Sequence, residues 1–106
     1  MDLIKYVNDS DLESLKENKL ALLYISAVWC GPCKQLGPKI EELSKKFYDK
    51  LVVGKMDADA NLDYLKGVGI KSIPTLIFYK DGVEVERFQG NKEFSVLEEI
   101  VYKYDN

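Results

Sequence analysis

With 106 residues, 46% of them apolar and 31% charged, the chain has the size and composition of one globular domain with a packed core, expected to span residues 1–106. Its 18 acidic and 15 basic residues leave a net charge of -3, and the lysines and Arg87 are spread along the chain, which argues against a nucleic-acid-binding patch. The longest apolar run, residues 20–30, is far short of a membrane span, and residues 1–6 show neither the basic head nor the apolar stretch of a secretory signal. A cytoplasmic monomer that touches neither membrane nor nucleic acid is expected.

Residues 4–6 suit a short first strand. Ser10 followed by Glu13 has capping-box spacing ahead of Leu12 and Leu15, which predicts a short amphipathic helix. Residues 20–26 are apolar without polar alternation, as in a central strand covered on both faces. From Cys33 the apolar positions Cys33, Leu36, Ile40, Leu43 and Phe47 alternate steps of three and four, which predicts a long helix that Pro38 bends near Leu36 or Gly37 without ending it. Residues 51–56 read as a second buried strand, and 61–66 as a short helix ended by Gly67. Residues 75–79 and 83–88 flank Asp81-Gly82, the dipeptide of a tight hairpin. A final helix over 92–104 should bury Phe94, Leu97, Val101 and Tyr104. The order β-α-β-α-β-α-β-β-α predicts an α/β fold: a mixed central sheet flanked by helices on both faces.

The two cysteines, Cys30 and Cys33, stand two residues apart, and histidine is absent. Such a pair points to redox chemistry or metal. A structural zinc site needs four ligands, and this chain offers two thiols and no imidazole. Cys30 follows the central strand and Cys33 opens the long helix, where unpaired N–H groups and the helix dipole stabilise a thiolate and lower its pKa from the free value of about 8.5. On chain geometry Cys30, in the loop, is the more exposed sulfur and the expected attacker of another disulfide. Cys33, in the first turn, is the expected resolver. Gly31 permits close approach of the sulfurs, and Pro32 suits a first helical turn.

Trp29-Cys30-Gly31-Pro32-Cys33-Lys34, Pro38 within the helix, Lys55-Met56-Asp57, Ser72-Ile73-Pro74-Thr75 and Gly82 together resemble the thioredoxin family over nearly the whole chain. The resemblance implies a thioredoxin fold and protein-disulfide reductase activity through a redox-active disulfide between Cys30 and Cys33. It implies no bound cofactor or metal, with electrons drawn from NADPH through a separate thioredoxin reductase and passed to oxidised protein substrates. It also implies a cis Ile73-Pro74 bond beside the cysteines, and a flat docking surface formed by Trp29, Gly31, Pro32, Ile73, Pro74 and Gly90. The Gly31-Pro32 pair resembles the reducing members rather than the isomerases. A rival reading is a binding subunit in which this surface, and not the thiols, carries the role.

The chain departs from the family at Tyr24, where members usually carry a buried aspartate thought to help the resolving cysteine lose its proton. Lys55 matches the lysine that accompanies that aspartate and here stands without it. A phenol with a pKa near 10 is no ready base at neutral pH, so proton transfer from Cys33 is expected to use water or the departing thiolate.

Overall fold

A computed structural model describes residues 3–105. Among these residues it forms five strands, β1 (Ile4–Tyr6), β2 (Leu20–Ser26), β3 (Val52–Asp57), β4 (Thr75–Lys80) and β5 (Val83–Gln89). Four α-helices accompany them: α1 (Leu12–Lys16), α2 (Gly31–Lys46), α3 (Leu62–Gly67) and α4 (Phe94–Tyr104). The sheet order is β1-β3-β2-β4-β5. β3 runs parallel to both β1 and β2, while β4 is antiparallel to β2 and to β5. This is the mixed α/β sheet expected, with β2 at its centre.

All seven residues of β2 are buried, which explains the missing polar alternation. Ala21, Leu23 and Ile25 join one apolar cluster with Leu12 and Leu15 of α1 and Leu65 of α3. Leu20, Leu22 and Tyr24 join another with Leu36, Ile40 and Leu43 of α2 and Leu97, Ile100 and Val101 of α4. Each large side chain so buried contributes about 1.5–3 kcal/mol. Polar ties also link α2 and the turn after it to the C-terminal segment: Lys46 pairs with Glu98, Lys50 lies 2.7 Å from Asp105, and Lys39 donates to the Lys92 carbonyl at 3.0 Å.

Several local expectations shift. The first turn is capped two residues earlier than Ser10 and Glu13, by Asn8 and Asp11: the Asp11 carboxylate accepts the Asn8 N–H at 2.8 Å, and a single 3-10 turn follows Asn8. The glycine that terminates α3 is Gly69, not Gly67: with φ of 74° it lets Gly69 N–H reach the Lys66 carbonyl and Ile70 N–H reach the Leu65 carbonyl, a Schellman closure. α2 begins at Gly31 and passes through Pro38 without interruption. α4 begins at Phe94, and its buried positions are Leu97, Ile100 and Val101. Phe94 and Tyr104 are only half-buried, the Tyr104 hydroxyl reaching out to Glu86 at 2.7 Å. The hairpin turn is as expected, with Asp81 and Gly82 at φ of 50° and 84°.

Gly54 of β3 shows how closely α1 lies on the sheet: a Cβ there would stand 3.1 Å from methyls of Leu15 and Val7. Both neighbours are buried. Gly54→Ala is therefore expected to destabilise the protein by about 1–3 kcal/mol, read as a lower urea midpoint at unchanged slope.

Candidate functional site

β2 ends at Ser26, and four residues later the chain turns into α2 with Cys30 as its N-cap. Cys30 is in extended backbone, and its Sγ accepts the N–H of Cys33 at 3.2 Å. The sulfur thus occupies the place of the usual capping oxygen, against a free donor and the positive end of a 16-residue helix. Pro32 falls in the first turn, where its missing N–H costs no helix bond. The two Cα atoms are 5.3 Å apart, and the cysteines are joined as a disulfide.

Exposure does not separate the two cysteines as expected: Cys30 is 3% and Cys33 5% exposed. Both belong to the apolar cluster that includes Ala27 and Ile70, with Ile73 packed against it, so neighbours cover both members of the oxidised pair. What distinguishes them is position. Cys30 caps the helix, whereas Cys33 lies in the first turn and lines an open cavity.

The surface beside the pair carries Trp29, 64% exposed, with Gly31 and Pro32 also exposed. The Trp29 ring is pinned by a bond from Nε1 to Asp59 Oδ2 of 2.9 Å. Asp59 sits in the 3-10 turn Ala58–Ala60 after β3, where Asp57 caps the turn by accepting the Asp59 N–H. Asp59 escaped the sequence reading, and its one signal was an acid two residues beyond Lys55-Met56-Asp57. The Ile73-Pro74 bond is cis. Pro74 itself is buried rather than part of an outer surface, because β4 starts directly after it, and its carbonyl accepts the Gly90 N–H at 2.9 Å. Ile73 and Gly90 remain half-buried.

Behind the cysteines opens a cavity of about 510 Å³, whose lining includes Tyr6, Tyr24, Cys33, Lys34, Lys55 and Asp57. Tyr24 is 2% exposed, and its hydroxyl donates to the Cys33 carbonyl at 3.2 Å. Burial pushes its phenol above the ordinary value, opposed in part by Ser26, so at neutral pH it is a donor and not a base. Lys55 Nζ lies 5.8 Å from the centres of both the Tyr6 and Tyr24 rings. Tyr6 was read only as a strand residue, yet the pairing of β1 with β3 sets it opposite Lys55.

A disulfide closed across the first turn of a helix, at the carboxyl end of a central strand, defines a dithiol–disulfide oxidoreductase of the thioredoxin fold. The thioredoxin family model matches residues 4–103. The chain is 35% identical to a thioredoxin of Listeria monocytogenes, over 96% of this chain and 99% of that protein. It is 45% identical to a thioredoxin of Bacillus subtilis, over 74% and 75% of the two. A solved mutant thioredoxin from Halobacterium salinarum NRC-1 superposes with a TM-score of 0.90 at 30% identity, covering 99% of this chain and 93% of that one. The chain belongs to the thioredoxin family, and it is a thiol–disulfide oxidoreductase.

Tyr24→Phe is expected to cost about 0.5–1.5 kcal/mol through the lost bond to Cys33. Tyr24→Asp should cost more, since it also removes the buried ring from the cluster it shares with Leu36 and Ile40. Burial also raises the Tyr79 phenol. Above a pH of about 10 the unfolded chain loses phenolic protons that the native state keeps, so stability falls as pH rises there. Denaturant midpoints between pH 9 and 11 should decline less steeply in Tyr24→Phe.

Proposed function

We propose that Cys30 is the attacking thiolate and Cys33 the resolving thiol of a general protein-disulfide reductase. In the reduced protein the Cys30 thiolate attacks one sulfur of a client disulfide, forming a bond to it and expelling the other as a thiolate. Cys33, once deprotonated, attacks Cys30, closing the Cys30–Cys33 bond and releasing the second client thiolate. The client gains two electrons and the cysteine pair loses them, with no cofactor in the step. The observation that carries this assignment is the Cys30 sulfur at the N-cap of α2, accepting the Cys33 N–H at 3.2 Å. A helix-terminal donor and dipole favour the ionised form of that sulfur over a free thiol.

The exposed Trp29, Gly31 and Pro32, with Ile73 and Gly90 beside them, would receive an extended client segment. Pro74 would support this surface from beneath, and the bond to Asp59 would hold the Trp29 ring in place. On this reading the chain works as a one-domain, monomeric electron carrier in the cytoplasm, where thiols are kept reduced. A separate flavoprotein, thioredoxin reductase, would restore the dithiol at the expense of NADPH. Among the described residues no helix is long and apolar enough to cross a membrane.

NADPH oxidation with a bacterial thioredoxin reductase and insulin tests the scheme. Wild-type protein should sustain turnover, Cys30→Ser should abolish it, and Cys33→Ser should accumulate a mixed disulfide on Cys30. Turnover that persists without either thiol would return the role to the docking surface alone. Equilibration with a glutathione buffer should give a potential nearer about −270 mV than about −180 mV, the reductase and isomerase ends of the scale. Trp29→Ala should lower kcat/KM for insulin roughly tenfold or more, while a small-molecule disulfide is reduced at close to the wild-type rate.

A further inference from the structure

Residues 90–93 join β5 to α4 without regular structure. This loop meets the surface beside the cysteines at Gly90, whose N–H donates to the Pro74 carbonyl at 2.9 Å. Its φ of 83° favours glycine there. A Cβ placed on Gly90, or on Gly31 at the start of α2, would meet nothing within 4 Å, so open space adjoins the surface at both edges.

Asn91 ties the loop to the redox helix. Its amide nitrogen donates to Gln35 Oε1 at 3.1 Å, and its Oδ1 accepts from Lys39 Nζ at 3.1 Å. Gln35 and Lys39 stand four residues apart on α2, so their side chains are neighbours on one helical face. Lys39 also donates to the Lys92 carbonyl at 3.0 Å, and one ammonium thus holds both a side chain and a main-chain oxygen of the same loop. Asparagine suits this place because a single amide both donates and accepts, which neither a carboxylate nor an ammonium does. Gln35 and Asn91 are exposed and belong to neither apolar cluster, so burial of the core does not account for their meeting. The bonds run in series from α2 through Asn91 to the loop, and from Gly90 to Pro74. A client segment laid across Trp29, Ile73 and Gly90 therefore meets a loop already held to the helix that carries the cysteines, and it spends less of its binding energy on ordering that loop.

We propose that Asn91 is a positioning residue for protein clients: by bonding Gln35 and Lys39 of α2 it holds the Gly90 edge of the docking surface in place relative to the cysteine pair, and so lowers KM for polypeptide disulfides. The inference rests on the docking role given above to Trp29, Ile73 and Gly90.

Two readouts separate this tether from a mere contribution to folding. Exchange of the Gly90 amide proton, followed by NMR in the oxidised full-length protein, should be about fivefold faster or more in Asn91→Ala. Asn91→Asp still accepts from Lys39 and takes an N–H from a turned Gln35 amide, so it should restore slow exchange. In insulin reduction Asn91→Ala should raise KM roughly three- to tenfold with kcat held, so that kcat/KM for insulin falls relative to that for hydroxyethyl disulfide. Gln35→Ala cuts the tie from the helix side, and it carries both readouts if Asn91→Ala does not fold. The double variant should be no worse than Asn91→Ala alone. Wild-type Gly90 exchange or a wild-type KM for insulin in Asn91→Ala overturns the proposal, as do single-variant losses that multiply in the double variant, the mark of a direct client contact. Failure of the wild-type protein to reduce insulin would instead overturn the exchange scheme itself.

Discussion

The cap of α2 is a sulfur atom. A helix leaves its first N–H groups without internal partners, and an N-terminal Ser, Thr, Asp or Asn oxygen usually takes one of them. Here Cys30 Sγ takes the Cys33 N–H. The same geometry that starts the helix therefore favours negative charge on Cys30, and it places the second cysteine within reach, at a Cα separation of 5.3 Å. Helix initiation, sulfur activation and disulfide closure share one turn of chain, so a change that disturbs the start of α2 acts on all three.

That turn is held by β2. Buried on both faces and bonded on both edges, β2 cannot shift its register without moving six side chains out of two apolar clusters. Its carboxyl end is consequently a rigid mount for residues 27–30. The two cysteines join the cluster beneath α1 and α3, while the body of α2 packs on the opposite face with Tyr24. The redox pair thus lies where the chain passes from one layer to the other, with the Trp29 surface outside it and the tyrosine-lined cavity behind.

Tyr24 gives that cavity its character. A carboxylate there would be a proton acceptor that burial makes more basic. A phenol held neutral by burial instead donates to the Cys33 carbonyl and offers its ring to Lys55. The lysine beside it, Lys55, therefore meets an aromatic ring at position 24 and not a carboxylate.

The pattern of residues was sufficient for the strands, the long helix, the hairpin and the cysteine pair, because each follows from short-range rules: side-chain period, the φ demands of Asp81-Gly82, and the reach of two sulfurs across one helical turn. Caps were less legible. Asn8 with Asp11 and Ser10 with Glu13 have the same spacing, and only the Asn61 contacts to Asn8 and to the Asp9 N–H mark the earlier start. Gly67 and Gly69 are likewise both able to end α3, and burial of Ile70 beside Leu65 selects the second. Cysteine exposure, the Trp29–Asp59 bond and the Tyr6–Lys55–Tyr24 row were decided by tertiary structure alone. They join residues from separate strands and turns, and strand pairing and layer packing, which no local spacing encodes, determine which of those residues meet.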